Sequence, residues 1–369
     1  MESQGIINNP ILRIPGVSND EFTPEEDAYA LQMARQINLR EFSQQAATRS
    51  AAAAELNVPA SMGTLRVFSF AMPPDQPAYK LDDGSPAQHR LARIYADDSQ
   101  TTEATHKMVV ARAACLKLAD NDNLIQESSV NNNEYIVLYV CGGGFITCDT
   151  TLDRHLYLRL SAELGQRVFA PTYHVAPAHR FPQPIHDVYT AYHHILHLGF
   201  RPENVTLVGM SAGGNIALAL LHLLRIQGEH HLMPRACVLL APCPDLAQTS
   251  DSWRRNYDRC VVRPHSLDSP NSLARMYYGH QDSINEAVLH PLISPVRGCL
   301  SGLPPVLALI GANDVFVDDA VALVDGIIAA GGCADLEVYE GRNHYSFLRG
   351  PAQLRAVYTR MRQFLSDPS

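Results

Sequence analysis

The chain has 369 residues, enough for one large α/β domain or two smaller domains with a well-buried core. Its residues are 46% hydrophobic and 18% charged, as in ordinary globular proteins, and 38 acidic residues outnumber 29 basic ones for a formal charge of −9. This acidic balance, without clustered lysine and arginine, argues against a nucleic-acid partner or an anionic membrane surface. No apolar run is long enough to predict a membrane span.

The spacing of the cysteines and the composition of the N-terminus indicate where in the cell the protein is expected. Eight cysteines are scattered without a CxxC pair or the spacing of a zinc site: Cys115, Cys141, Cys148, Cys237, Cys243, Cys260, Cys299 and Cys333. Residues 1–20 lack a basic start followed by an apolar stretch, so the pattern is not that of a secretory signal. We therefore expect a reduced, soluble, cytoplasmic protein that uses neither a metal ion nor another cofactor.

The first 118 residues predict helices followed by strands of uncertain order. Thr23 with Glu26 three residues later forms a capping box, and the alanine-rich tract 46–54 favours a helix. We assign residues 1–62 to an N-terminal helical segment and residues 63–369 to the core domain. Three runs between residues 63 and 118 each predict a strand, in an order that the sequence leaves open: TLRVFSFAM, HRLARIYAD and MVVARAACLKL.

From residue 134 onward, short β-rich runs alternate with helical patterns. Strands are predicted at 134–140, 167–173, 205–210, 236–242, 306–311 and 334–340, and helices near 152–164, 184–198, 213–226, 317–331 and 351–366. Such alternation is typical of an α/β protein with a mostly parallel central sheet flanked by helices.

Residues 243–300 interrupt this alternation and predict an insertion over the carboxyl end of the sheet. They contain the single tryptophan, Trp253, together with Tyr257, Met276, Tyr277 and Tyr278, but no run typical of a buried strand. These side chains are consistent with a binding lid and equally with a packed cap core.

A G-x-S-x-G pattern, Gly209-Met210-Ser211-Ala212-Gly213, lies between a predicted strand and a predicted helix. A nucleophilic serine needs this context, because it stands on a strained turn that small neighbours allow strand and helix to form. The helix N-terminus behind Ser211 would also favour the anionic oxygen that develops during acyl transfer. The alternative, a glycine-rich turn whose serine only caps the helix, is weaker once strand and helix are both predicted.

A nucleophilic serine needs a base, and the base needs an orienting acid. In sheets of this kind the order along the chain is serine, acid, histidine, with the acid and the histidine on loops after later strands. Asp314 and His344 occupy such loops, and ligands bind at this edge of the sheet. Asp314 could instead cap the following helix, which would leave Asp318 or Asp319 as the acid.

Three glycines, residues 142–144, follow the apolar run IVLYV at the same predicted edge. Their N–H groups can turn toward an acyl oxygen and form, with the N–H of Ala212, an oxyanion hole. The dinucleotide pattern G-x-G-x-x-G fails, because Thr147 stands where the third glycine is needed.

These motifs resemble the hormone-sensitive-lipase-like branch of the α/β-hydrolase superfamily, whose carboxylesterases carry HGGG upstream of G-x-S-A-G. The resemblance covers about residues 134–365 and rests on CGGGF (141–145), YHVAPAHRFPQPIHDVYTAY (173–192), GMSAGGN (209–215), ANDVFVDD (312–319) and NHYSF (343–347). It implies an α/β-hydrolase fold with a helical cap, formed by the insertion at about 243–300 with a contribution from residues 1–62.

The resemblance also implies the roles in the site. Ser211 would be the nucleophile, Asp314 the orienting acid and His344 the general base, with an oxyanion hole made by the N–H groups of Gly143, Gly144 and Ala212. It implies a serine hydrolase that cleaves a carboxylic ester of a small molecule through an acyl-enzyme. Members of this branch often pair as homodimers.

Two residues depart from the family pattern. Cys141 replaces the histidine before the glycines, and Val315 replaces the proline after the acid. The histidine is regarded as shaping the loop, so its loss bears on loop stiffness and substrate range more than on hydrolysis. We expect Cys141 to be a small buried residue rather than a nucleophile, because no histidine lies near it in sequence to activate the thiol.

Two rival functions use the same fold. In the first, the same three residues serve acyl transfer, thioester cleavage, or lactone formation or opening in a tailoring enzyme of secondary metabolism. In the second, the chain is a non-catalytic small-molecule receptor. The second is disfavoured, since such relatives have lost a member of the triad and all three residues are present here.

Overall fold

The computed structural model describes the backbone of 64–71 and 110–117, and residues 134–148, 156, 160, 163–176, 179–269, 272–278, 284–348 and 351–368. In this part of the chain, eight strands form one sheet. They are β1 (Thr64–Ala71), β2 (Val110–Lys117), β3 (Ile136–Val140), β4 (Arg167–Thr172), β5 (Val205–Met210), β6 (Ala236–Leu240), β7 (Val306–Gly311) and β8 (Ala334–Tyr339).

The spatial order of the strands is β1-β2-β4-β3-β5-β6-β7-β8. The six strands from β4 to β8 run parallel, and β1 and β2 add an antiparallel edge. In register, Leu138 of β3 pairs with Phe169 of β4 on one side and with Leu207 of β5 on the other. The predicted α/β class with a mostly parallel sheet is therefore confirmed.

The central strands are almost entirely apolar because the sheet is covered on both faces, with buried Thr206 in β5 as a polar exception. Every residue of β3, β5, β6 and β7 is buried, as continuous apolar runs in parallel sheets predict. In β8, at the edge, Asp335 is exposed. Of the three predicted strands between 63 and 118, the first and third are β1 and β2, and HRLARIYAD lies outside the described residues.

The described α-helices are α1 (Gln183–His197), α2 (Ala212–Ile226), α3 (Ser252–Arg255), α4 (Leu273–Tyr278), α5 (Ile284–Ala287), α6 (Val317–Ala329) and α7 (Pro351–Ser366). The four long ones agree with the predicted bounds to within two residues. None of these helices has both the length and the apolar character that crossing a membrane requires. The helical segment predicted for residues 1–62, and most of the helix predicted near 152–164, fall outside the described residues.

Helix α2 is the central helix of the core. All its residues from Ala212 to Leu224 are buried, because it contacts β3, β5 and β6 on one side and α1 on another. Helix α6 packs against β7 and β8, and α7 contacts β7. The loops that follow the central strands are thus held between a buried sheet and its covering helices.

The insertion, residues 243–300, contains α3, α4 and α5, and no strand among its described residues. Its first helix is fastened to the chain between β7 and α6. The Ser252 hydroxyl donates to the Val315 carbonyl at 2.7 Å, and the indole N–H of Trp253 donates to Asp319 at 2.7 Å. The Trp253 ring also contacts the edge of Phe316, with ring centroids 5.0 Å apart.

The aromatic side chains of the insertion are mostly buried rather than exposed to solvent. Trp253, Tyr277 and Tyr278 are buried, and only Tyr257 among the tyrosines of this group is exposed. Of the two interpretations left open by the sequence, a packed core fits these three buried side chains.

The buried carboxyl of Asp319 makes stability depend on pH. Burial raises the pKa of Asp319 from its ordinary 3.8 to about 7, although hydrogen bonds from Ser250 and Trp253 act in the opposite direction. Between these two values the unfolded chain binds fewer protons than the folded chain, so the free energy of unfolding falls as pH rises. Above about pH 7 the carboxyl is ionised in both states and this contribution is lost.

In the wild type, titration of Asp319 should lower the free energy of unfolding between pH 4.5 and 7.5. We predict that in Asp319→Asn this decrease is smaller, by at most about 4 kcal/mol. The amide keeps an acceptor for Trp253 but does not titrate. Urea denaturation at a series of pH values measures the effect, and Asp325→Asn on the same helix is the matched control for a lost charge. Equal pH dependence in wild type and Asp319→Asn would contradict the prediction.

Candidate active site

The carboxyl ends of the parallel strands bring the predicted site residues to one edge of the sheet. The segment 141–148, called here the glycine loop, follows β3; Ser211 follows β5; Asp314 follows β7; and His344 follows β8. Because β3, β5, β6, β7 and β8 are successive neighbours in the sheet, these four segments are adjacent in space. Open parallel sheets bind ligands at this edge.

Ser211 stands on a strained turn between β5 and α2. Its backbone angles are φ 53° and ψ −119°, a conformation that L-residues rarely adopt and that is concentrated at functional sites. The turn requires small neighbours, since a Cβ at Gly209 would lie 2.6 Å from the Gly213 carbonyl oxygen, and one at Gly213 would lie 2.2 Å from that of Val140. This is the geometry that the G-x-S-x-G pattern predicted.

The imidazole of His344 lies between Ser211 and Asp314. Its Nε2 is 2.8 Å from the serine Oγ, and its Nδ1 is 2.8 Å from Asp314 Oδ2. Asp314 and His344 are fully buried and Ser211 is 7% exposed. If Nδ1 carries the proton that it donates to Asp314, then Nε2 has a lone pair directed at the serine hydroxyl.

The structure brings Asp314, and neither of the two alternative acids, to His344. Asp318 accepts hydrogen bonds from the backbone N–H of Ser252 and from Arg255, and Asp319 accepts from Trp253. The second oxygen of Asp314, Oδ1, accepts from the backbone N–H of Phe316 at 3.1 Å. The alternative role as the cap of α6 does not apply, because Phe316 is the N-cap residue of that helix and no side chain caps it.

The glycine loop passes directly beside Ser211. A Cβ at Gly142 would lie 3.3 Å from the Cβ of Ser211, and Gly143 adopts φ +129°, which a larger residue would resist. The Gly143 carbonyl accepts from the N–H groups of Ile146 and Thr147 at 3.1 and 3.0 Å, which folds the loop into a tight turn.

Three backbone N–H groups at this edge are available to a ligand. Those of Gly143, Gly144 and Ala212 donate to no acceptor among the described residues. The loop that carries the first two is held from outside, because the Tyr173 hydroxyl donates to the Cys141 carbonyl at 2.8 Å and the Ala176 N–H donates to the Phe145 carbonyl at 2.9 Å. The three donors predicted for an oxyanion thus lie on segments that border the serine.

Cys141 is 1% exposed, as expected for a small buried residue. Its sulfur lies 2.8 Å from the sulfur of Cys148 at the other end of the glycine loop. Val315 is also fully buried, and its carbonyl accepts the hydrogen bond from Ser252.

Asn256 is a site-supporting residue that the sequence analysis missed. Its side-chain Nδ2 donates to the carbonyls of Ala312 and Asp314 at 3.0 and 2.8 Å, and the residue is 2% exposed. These carbonyls belong to the acid loop, residues 312–316. No sequence signal could reveal this role, since Asn256 precedes Asp314 by 58 residues and lies outside every motif.

Cys260 also lies against the acid. Its thiol lies 3.8 Å from Asp314 Oδ1, a weak contact. Burial, and secondarily the Asp314 charge, raises the pKa of this thiol to about 12. Cys260 is therefore a neutral packing neighbour of Asp314 and not a reactive thiol.

Comparison with known proteins identifies the family. A family model described as the alpha/beta hydrolase fold matches residues 137–348, which include the glycine loop, Ser211, Asp314 and His344. The chain belongs to this family. Its curated relatives are described as esterases, carboxylesterases and acetyl-hydrolases.

Among the relatives is an acetyl-hydrolase of Streptomyces hygroscopicus, 35% identical over 197 residues, which are 53% of this chain and 62% of that protein. An esterase of Acinetobacter venetianus is 30% identical over 185 residues, 50% of this chain and 58% of the relative. The carboxylesterase/phospholipase LipF of Mycobacterium tuberculosis is 28% identical over 235 residues, 63% of this chain and 62% of the relative. The matches thus span about three fifths of the length of these curated relatives.

Solved structures agree on the fold over most of the chain. The esterase of the bacterial hormone-sensitive lipase family superposes with a TM-score of 0.63 at 23% identity, covering 92% of this chain and 96% of the other. A structure described as an arylesterase gives a TM-score of 0.64 at 19% identity, covering 91% and 96%.

We predict that Asn256→Ala lowers the free energy of unfolding by about 1–3 kcal/mol, because two buried carbonyls of the acid loop lose their donor. Denaturant titration measures the change. Asp258→Ala, at an exposed position two residues further on, is the control and is expected to differ little from wild type. If both variants are as stable as wild type, Asn256 does not support the acid loop.

Proposed function

We propose that this chain is a carboxylesterase-type serine hydrolase that cleaves the ester of a small molecule through an acyl-enzyme. The observation that carries the proposal is the continuous contact from Ser211 Oγ through the His344 ring to Asp314, with both distances at 2.8 Å. The relatives named as esterases and acetyl-hydrolase support the same class of reaction.

In the proposed acylation step, Ser211 Oγ attacks the ester carbonyl while His344 Nε2 accepts the serine proton. Asp314 holds Nδ1–H and stabilises the imidazolium that forms. Because Asp314 and His344 are fully buried, their attraction is little screened by water. The imidazolium then gives its proton to the leaving alcohol, which departs and leaves the acyl group on Ser211.

The negative oxygen of the tetrahedral intermediate would be bound by the N–H groups of Gly143, Gly144 and Ala212. Support comes from their position beside Ser211 and from the absence of an acceptor for them among the described residues. Donors that are already oriented need no rearrangement when charge develops, which is why such sites lower the barrier strongly. The N-terminus of α2 adds a favourable partial positive charge.

In the proposed deacylation step, a water molecule takes the place of the alcohol. His344 Nε2 removes its proton, the water oxygen attacks the acyl carbon, and the bond to Ser211 Oγ breaks as the proton returns to the serine. The net reaction consumes one ester and one water and yields a carboxylic acid and an alcohol. The proposed steps require no cofactor.

We further propose that the insertion, together with residues 1–62, forms the cap that selects the substrate. Contacts of the insertion with the glycine loop support this assignment. Leu273 of α4 would lie 3.4 Å from a Cβ at Gly144, and the ring of Tyr277 stacks on Phe145 with centroids 4.1 Å apart. The acyl and alcohol groups of the substrate would therefore meet side chains of the cap as they approach Ser211.

The rival reactions share every step up to the acyl-enzyme and differ in the acceptor. An alcohol, a thiol or an internal hydroxyl could take the acyl group in place of water, as in a tailoring enzyme of secondary metabolism. Product analysis with esters, thioesters and lactones, in the presence of added alcohols, separates these outcomes. Free acid as the dominant product supports hydrolysis, and a transferred acyl group or a lactone would overturn it.

We predict that Ser211→Ala lowers kcat for a short p-nitrophenyl ester by at least about 10⁴-fold and leaves the fold intact. Labelling by a fluorophosphonate probe should disappear with it. Ser301→Ala, at an exposed surface position, is the control and should keep activity and labelling. Undiminished turnover in Ser211→Ala would refute the assignment, and a wild-type chain that neither reacts nor labels would favour the receptor.

We predict that Gly143→Ala lowers kcat by about 10²–10³-fold, the range found when one oxyanion donor is lost. The added Cβ would lie 2.1 Å from the Thr147 carbonyl oxygen, so the loop must move. Gly165→Ala is the matched control, because Gly165 also has a positive φ, +63°, but a Cβ there meets nothing within 4 Å. Equal kcat values in the two variants would contradict the assignment of Gly143 to the oxyanion hole.

A further inference from the structure

Two sulfur atoms meet at the base of the glycine loop. The Sγ atoms of Cys141 and Cys148 lie 2.8 Å apart, closer than the roughly 3.5–4.0 Å at which non-bonded carbon atoms rest, although sulfur is the larger atom. Both residues are thiols in this structure. A disulfide bond, at about 2.05 Å, would require the sulfurs to approach by less than about 1 Å.

The same neighbour holds both ends of the loop. The backbone N–H of Tyr173 donates to Cys148 Sγ at 3.4 Å, and its hydroxyl donates to the Cys141 carbonyl at 2.8 Å. The two cysteines are therefore fastened to the segment that follows β4.

We propose that Cys141 and Cys148 are a disulfide-forming pair that closes the glycine loop covalently. The oxidant is a small-molecule disulfide such as oxidised glutathione. Cys148 is only partly buried and Cys141 is 1% exposed, so the thiolate of Cys148 attacks the oxidant first. The bond within the oxidant breaks, one small thiol leaves, and a mixed disulfide remains on Cys148.

The thiolate of Cys141 then attacks the Cys148 sulfur of this mixed disulfide, and a second small thiol leaves. The two cysteines lose two electrons and two protons in total. The oxidant gains the two electrons, and the two protons are carried by the two small thiols that are released. A reducing dithiol reverses the reaction by the same steps.

Closing this bond fixes the segment that carries Gly143 and Gly144. Because the sulfurs are already so close, the disulfide forms with little change in the loop. The cross-link also restricts the unfolded chain, so the oxidised protein should be more resistant to heat than the reduced one. The thiol pair thus serves as a modification site whose chemistry is separate from that of Ser211.

Peptide mass tests the pair directly, because the tryptic peptide 118–154 contains both cysteines and no other. The folded protein is treated with oxidised glutathione, its thiols are blocked with iodoacetamide, and it is digested without reduction. We expect this peptide to be two hydrogen masses lighter than its thiol form and free of alkyl groups. Two alkyl groups on it, or a glutathione that stays on Cys148, would overturn the proposal.

Melting temperature tests the consequence with matched variants. Oxidation is expected to raise the Tm of the wild type by about 2–5 °C and to leave that of Cys148→Ser unchanged. Cys299→Ser, which removes an exposed thiol, should respond to oxidation as the wild type does. An equal rise in the Tm of Cys148→Ser on oxidation would show that other cysteines cause the stabilisation and would contradict the proposed pair. Neither peptide mass nor melting temperature depends on ester hydrolysis, so these experiments test the disulfide independently of the proposed function.

Discussion

The close approach of α2 to the end of β3 is the contact on which the site depends. A Cβ at Gly213 would lie 2.2 and 2.4 Å from the carbonyl oxygens of Val140 and Cys141, so only glycine allows it. This contact permits the turn at Ser211, with φ 53°, and also sets the distance between Ala212 and the glycine loop. Ser211 and the N–H groups proposed as oxyanion donors are therefore positioned by one packing constraint rather than by separate ones.

The burial of Asp314 imposes a second requirement. A buried carboxylate is costly unless hydrogen bonds compensate for the lost water, and here His344 and the Phe316 N–H supply them. Asn256 adds support from the insertion by satisfying two carbonyls of the acid loop. A segment that interrupts the regular βα alternation thus stabilises the loop that carries the acid.

Most of the central sheet could be predicted from the sequence because its signals are local. β3 and β7 are continuous apolar runs, β5 is one except for Thr206, and Ser211 lies in a motif whose strand, turn and helix are contiguous. The order of the strands between 63 and 118 could not be predicted, since β1 and β2 take their places by antiparallel pairing with partners elsewhere in the sheet.

The residues missed by the sequence analysis depend on contacts between distant segments. Asn256 binds a loop that begins 56 residues later, and no local pattern marks it. The pairing of Cys141 with Cys148 had a weak signal, two cysteines that flank the glycines seven residues apart, but a spacing of seven has no fixed meaning outside a known loop geometry. The tight turn at Gly143 and the contacts of Tyr173 with both cysteines bring the two ends together.

The insertion contacts both the glycine loop and the acid loop, and in the proposed enzyme this would link substrate selection to catalysis. Tyr277 stacks on Phe145 of the glycine loop, while Asn256 and Trp253 hold the acid loop and the start of α6. In the proposed enzyme, the segment that contacts the substrate also positions the groups that react with it. A change in the packing of the insertion should then alter kcat as well as KM, because the oxyanion donors or the acid would move with the binding surface.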